Sequence, residues 1–109
     1  MASVAGLKEL TNMLEDCDAA VWLGDMNWQG EMDIPGWCDL WKEISADPGP
    51  TFHANQGASC TVAARLDRVL TIGVKPEGSS VALLGTSRIP GTNSFPSDHY
   101  GIFAAVSLV

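Results

Sequence analysis

Two short polar motifs stand far apart in this chain, each at one end of an apolar run. Val21-Trp22-Leu23-Gly24-Asp25-Met26-Asn27-Trp28 closes an apolar stretch with Gly-Asp-x-Asn, and Phe95-Pro96-Ser97-Asp98-His99-Tyr100-Gly101 leads into another. Between them, Arg65-Leu66-Asp67-Arg68-Val69-Leu70 adds a third carboxylate in a strand-like setting. Acid, amide and imidazole groups at strand tips are the parts needed to bind a phosphodiester, activate a water and hold a divalent metal.

Residues i and i+2 of a strand point the same way, so Asp25 and Asn27 are expected to project together from the end of theirs. There Asp25 would accept a proton from water, and Asn27 would donate to water or to a phosphate oxygen. The competing reading is an Asx turn at the strand end, in which both side chains only cap backbone. His99 is placed to meet a phosphate as imidazolium. Asp98, adjacent in sequence, should point elsewhere, toward a metal ion. A second carboxylate must then orient the ring, and Asp67 is the available candidate. A carboxylate beside a histidine raises its pKa and keeps it charged. The plainer reading of Asp67 is a surface ion pair with Arg65 or Arg68, worth little.

Arg88 is a candidate phosphate clamp or a solvated loop charge. Trp28, next to Asn27, can stack on a base or an aromatic leaving group. Trp37 and Trp41, at i and i+4, read as core, and His53 as structural or surface. The chain has no Walker loop, no Gly-x-Ser-x-Gly, no His-Glu-x-x-His and no Rossmann glycine pattern.

The elements that must position these groups can be read from the apolar pattern. Residues 2–16 are expected to be a helix, with Leu7, Leu10 and Leu14 beside Val4 and Met13, Ser3 as N-cap, and an end at Asp16 to Asp18. Residues 19–24 read as a strand buried on both faces. Trp37 to Ile44 suggests a short helix stopped by Asp47-Pro48-Gly49-Pro50. Thr51-Phe52-His53 is a weak strand, 55–59 a turn or loop, and 63–73 a strand with Leu66, Leu70 and Ile72 on one face. Lys75-Pro76-Glu77-Gly78 reads as a turn, Val81 to Leu84 as a strand, and Gly85 to Ser97 as a long functional loop. The last strand, Tyr100 to Val109, is apolar on both sides and is expected to be central and covered. The class is α/β or α+β. One long helix is little cover for such a strand, so the fold calls for more chain.

With 109 residues and 11.6 kDa the chain is one domain at most, or a piece of one. A net charge of −7 and a pI near 4.4 argue against nucleic-acid binding through a broad basic surface. They leave room for an enzyme that grips one or two phosphates. Three cysteines, Cys17, Cys38 and Cys60, with no Cys-x-x-Cys pair, point to reduced, partly buried thiols and an intracellular setting. No apolar run approaches the roughly 18 residues of a membrane span, and Met1 to Leu7 lacks the basic start of a secretory signal.

Taken in order, Gly24-Asp25-Met26-Asn27, Arg65-Leu66-Asp67-Arg68 and Pro96-Ser97-Asp98-His99-Tyr100-Gly101 resemble the endonuclease/exonuclease/phosphatase superfamily. Within it, Asp39-Leu40-Trp41, Thr51-Phe52, Leu83-Leu84-Gly85 and Phe95 to His99 look most like the phosphodiesterases that remove tyrosyl adducts from DNA 5′ ends. The resemblance implies a DNase I-like two-sheet α/β sandwich flanked by helices, with residues 1–109 as its C-terminal half. It implies a metal-dependent phosphodiester hydrolase or nuclease, with DNA repair as its setting and magnesium or manganese as its cofactor. In that scheme Asp25 is the base or water positioner and Asn27 the transition-state donor. His99 stabilises the phosphate, Asp67 orients it, and Asp98 sits at the metal. Trp28 and Arg88 are candidate substrate contacts. The family's first half supplies an Asn and a Glu near the metal, and neither motif is present here. The isolated chain is therefore expected to be inactive without a partner segment carrying that N-terminal half. The alternatives are an inactive remnant or binding module of the same fold, or a deadenylase- or phosphatase-type member. The localisation implied is nuclear or cytoplasmic.

Overall fold

A computed structural model describes residues 4–28, 30–53 and 63–109. In order, the elements are α1 (Val4–Met13), β1 (Ala20–Asp25), β2 (Cys38–Asp39), α2 (Leu40–Ile44), β3 (Phe52–His53), β4 (Ala63–Ala64), β5 (Asp67–Ile72), β6 (Val74–Leu84) and β7 (Gly101–Leu108). β5 lies between β1 and β2, antiparallel to both. β3 pairs with β4, and β6 with β7. The architecture is mixed α/β with antiparallel sheets, as the motifs imply.

The core forms where apolar positions of several elements meet on one face of the central sheet. Met32, Ile34, Trp37 and Leu70 are buried together, with Leu10, Leu14, Ala20, Trp22, Met26 and Ile72 packed around them. The Trp22 and Trp37 rings meet edge to face, with centroids 5.6 Å apart, a favoured aromatic geometry. Trp41 is also buried; its indole N–H donates to the Asp47 carbonyl at 2.8 Å. Its ring lies over Gly49, where φ is +61° and any Cβ would strike the indole. That contact, rather than the turn alone, requires glycine.

Several expectations are corrected. α1 ends at Met13, whose side chain is exposed. β1 is buried on one side only: Val21 and Leu23 are exposed. Trp37 to Ile44 is not one helix, because Cys38 and Asp39 pair with β5 before α2 begins. The expected strand at 63–73 is broken between Ala64 and Asp67. Lys75 to Gly78 is not a turn but part of β6, whose register with β7 shifts between Lys75 and Ser80; a bulge takes up the extra residues. β7 is not a covered central strand. It pairs only with β6 among the described residues, and Phe103 is 56% exposed, with Leu108 also exposed. Cys17 and Cys38 are free thiols, as expected, but exposed rather than partly buried. Ser3, the loop at 55–59 and Cys60 lie outside the described residues.

Candidate active site

Antiparallel pairing brings the first two acids together. Asp25 ends β1, Asp67 begins β5, and the two are direct partners in the register, which puts their side chains on the same face. The third group arrives from a different sheet. His99 stands just before β7 and forms a bridge with Phe52 of β3. An oxygen of Asp25, an oxygen of Asp67 and a ring nitrogen of His99 all lie within 4.8 Å of one another.

His99 Nδ1 and Asp67 Oδ2 are 2.7 Å apart, a short, charge-assisted distance. The pair is partly shielded, with side chains 28% and 21% exposed. The hydrogen bond to Asp67 raises the His99 pKa above its ordinary value; burial opposes the shift, while the negative charges of Asp67, Asp25 and Asp98 add to it. Two neighbouring carboxylates outweigh one imidazolium, so the cluster keeps a net negative charge that favours the protonated ring. With Nδ1 held by Asp67, Nε2 is the ring nitrogen left to donate outward.

Asn27 does not continue the strand. Its φ is +51°, and its backbone N–H donates to Asp25 Oδ1 at 2.8 Å. The chain has left β1 in an Asx turn, so strand parity does not align the two side chains. The turn fixes Asp25 through one oxygen and leaves the other for a ligand. Trp28 is exposed, and its indole N–H donates to the Glu31 carbonyl.

Neither flanking arginine pairs with Asp67. Arg65 forms a bidentate bond to Asp39, at 2.8 and 2.5 Å. Arg68, only 2% exposed, reaches Asp39 at 3.5 Å and donates to the carbonyls of Trp28, Gly30 and Arg65. Burial lowers its pKa. Sequence reasoning named Asp39 and Thr51 only within the segments Asp39-Leu40-Trp41 and Thr51-Phe52 and gave neither a role, because their partners are distant in sequence. A carboxylate directly before a short helix does not show by its type which residue it will pair with, and neither does a threonine after a proline.

The remaining candidates lie in the long loop. Arg88 rests on the Phe95 ring, 5.2 Å from its centroid. Asp98 is exposed, with the Ser97 hydroxyl 3.4 Å from Oδ1. Among the described residues it belongs to no cluster of three possible metal ligands. The Asp25–Asp67–His99 cluster does not fit magnesium either. That ion demands near-octahedral oxygen ligation, and here the imidazole nitrogen is engaged by one of the two carboxylates. The donors among the described residues do not by themselves make a magnesium site.

No protein-family model matches the sequence, and no curated protein matches it. Solved structures do. Tyrosyl-DNA phosphodiesterase 2 (TDP2) from Caenorhabditis elegans matches with a TM-score of 0.76 at 21% identity, over 94% of this chain and 34% of that one. A truncated form of the same protein matches with a TM-score of 0.73 at 22% identity, over 94% of this chain and 44% of that one. The D. rerio protein complexed with a single-strand DNA product matches with a TM-score of 0.66 at 19% identity, over 93% of this chain and 49% of that one. The chain spans between a third and a half of the length of these structures. At such identities the likeness is one of fold. It is the DNase I-like fold the three motifs imply, shared over 94% of this chain with part of the tyrosyl-DNA phosphodiesterase 2 structures.

Proposed function

We propose that this chain is the C-terminal half of a phosphodiester hydrolase domain acting on nucleic-acid ends, with 5′-phosphotyrosyl DNA as the substrate class. The observation that carries this reading is the convergence of Asp25, Asp67 and His99 from three strand tips to within 4.8 Å. The likeness to a phosphodiesterase structure that holds a DNA product supports it.

The chemistry follows from the groups. Asp25, with one oxygen tied to the Asn27 N–H, uses the other to orient an attacking water and take its proton. His99, held as imidazolium by Asp67, donates from Nε2 to a phosphate oxygen as charge develops there. The Asn27 side-chain amide, two residues past Asp25, is a second donor. Trp28 offers an exposed face to a base or to a tyrosyl leaving group. When present, magnesium or manganese would polarise the phosphate. Asp98 is the donor this chain can contribute, and the other oxygens must come from outside it.

The same reading accounts for the exposed apolar residues of β1 and β7, which the rest of the domain would cover. The chain alone is then inert or nearly so. The test is hydrolysis of a 5′-phosphotyrosyl single-stranded oligonucleotide, with magnesium, by the chain alone and joined to the N-terminal segment that completes the fold. Activity should appear only in the joined form. Asp25→Ala or His99→Ala should each reduce it about 10²- to 10⁴-fold. Joined protein that binds the oligonucleotide equally well in both variants and never cleaves it would favour a binding module instead.

A further inference from the structure

One residue outside the cluster bonds to the backbone at or next to two of its members and reaches the third through a single intermediate residue. Thr51 is fully buried, at 0% exposure. Its hydroxyl oxygen accepts the backbone N–H of Asp67 at 3.0 Å and that of Leu66 at 3.1 Å, using both lone pairs. Its carbonyl accepts the N–H of Tyr100, next to His99, at 2.6 Å, and its own N–H donates to Ala64. The Leu66 carbonyl in turn accepts the N–H of Met26, next to Asp25, at 2.8 Å. Phe52, which follows Thr51, bridges to His99, and their rings lie 5.2 Å apart.

We propose that Thr51 is the positioning residue of the site, its hydroxyl and carbonyl setting the spacing of Asp67, His99 and, through Leu66, Asp25. What that spacing serves rests on the hydrolase reading; the positioning itself does not. The physical case lies in the break between β4 and β5. Leu66 and Asp67 sit where the ladder is interrupted, so their N–H groups need a partner that no strand supplies. A buried unmet donor is costly. The hydroxyl meets both donors, and only from one place, so it also fixes where β5 begins. The carbonyl of the same residue fixes where the chain enters β7. The Asp67–His99 distance is thus set through a single buried residue bonded beside both.

The test uses the full chain labelled with ¹⁵N and follows exchange of the His99 Nδ1 proton alongside the Asp67 and Tyr100 amides. Thr51→Val matches the shape but removes the acceptor. It should speed exchange of the Nδ1 proton at least about tenfold, the factor for one buried hydrogen bond, since two are lost. Thr51→Ser restores the acceptor and should return the wild-type rate. A folded Thr51→Val chain with the wild-type rate would overturn the proposal, as would a Thr51→Ser chain that exchanges as fast as Thr51→Val. Should Thr51→Val fail to fold, the native chain decides the matter. The three protons must then show equal protection, and a protected His99 proton beside a freely exchanging Asp67 amide refutes the coupling. None of these readouts requires turnover. A joined protein that stays inert although these protons are coupled sinks the hydrolase reading alone, and an active joined protein with uncoupled protons sinks only the role given to Thr51.

Discussion

Replacing Arg68 with methionine should cost about 3 kcal/mol of stability, and the sum can be worked from its contacts. The guanidinium is 2% exposed and donates to three carbonyls: Trp28 at 3.0 Å, Gly30 at 2.5 Å and Arg65 at 3.2 Å. Its 3.5 Å approach to Asp39 is at the limit of a hydrogen bond, and Asp39 keeps its bidentate bond to Arg65. Methionine retains the apolar stem, so little packing is lost. Trp28 and Gly30 are exposed residues, so water can reach their carbonyls, and each lost bond falls near ~1 kcal/mol rather than the full penalty of a buried orphan. Three such bonds give the figure. The desolvation that methionine avoids pulls it down, and the lost attraction between Asp39 and a second guanidinium pulls it up. Urea unfolding followed by tryptophan fluorescence measures it. A change of about 3 kcal/mol corresponds to a fall of roughly 10 °C or more in Tm for a domain of this size. Amide exchange at residues 26–28 should also quicken, because Arg68 ties that loop to β5. A variant within about 0.5 kcal/mol of wild type, the usual range of surface changes, would show that the buried guanidinium holds nothing.

Other perturbations have equally definite signs. The His99 pKa is raised in the folded chain by its bond to Asp67. Its contribution is therefore complete below the unfolded value and lost as pH rises through the folded one. Urea titrations at about pH 6 and about pH 9 should find Asp67→Asn destabilising by about 1 kcal/mol at the lower pH and much less at the higher; an equal cost at both would exclude the ion pair. Gly73 has φ +70°, and a Cβ there would run into the Asp18 carbonyl. Gly73→Ala should cost about 2–3 kcal/mol in the same assay. The exposed side chains of Leu23, Phe103 and Leu108 should make the isolated chain self-associate. Light scattering should show this, and Leu23→Ser with Phe103→Ser should reduce it; a stable monomer would count against the half-domain reading.

Periodicity made some of the fold legible. The apolar run before Asp25, the packing of Leu10 and Leu14 onto the core and the burial of Trp37 and Trp41 depend on local patterns, and each appears in the structure. The pattern misled where it reports potential burial rather than actual cover. Val21, Leu23 and Phe103 are apolar residues at positions a larger domain would bury, and nothing in their types says that the covering layer lies elsewhere. The bulge at Lys75 to Ser80 was hidden for a different reason. Pro76 and Gly78 are turn formers, and only pairing with β7 shows that the chain keeps its direction. At the site, adjacency argued that Asp98 turns away from His99 and left Asp67 as the partner, and the two side chains do meet. The expected alignment of Asn27 with Asp25 rested on strand parity, which stops applying where the strand stops.

The site and the stability of the chain draw on the same polar residues, which ties the predictions together. Asp39, Thr51 and Arg68 are buried or nearly so, yet each spends its hydrogen bonds at the ends of strands rather than in the apolar core. Thr51 closes the break before β5, and Arg68 closes the loop after β1. Asp39 holds Arg65, in the break before β5, and approaches Arg68 on the strand that carries Asp67. An apolar substitute at any of the three would fill the space and leave strand ends free to move relative to one another. His99 meets Asp67 only while those ends are fixed, since the two residues belong to different sheets. Loss of the polar contacts should therefore loosen the Asp67–His99 pair before it unfolds the core of Trp22, Trp37 and Leu70. A chain whose His99 contact and core always open in one step, in every variant of these three residues, would contradict that order.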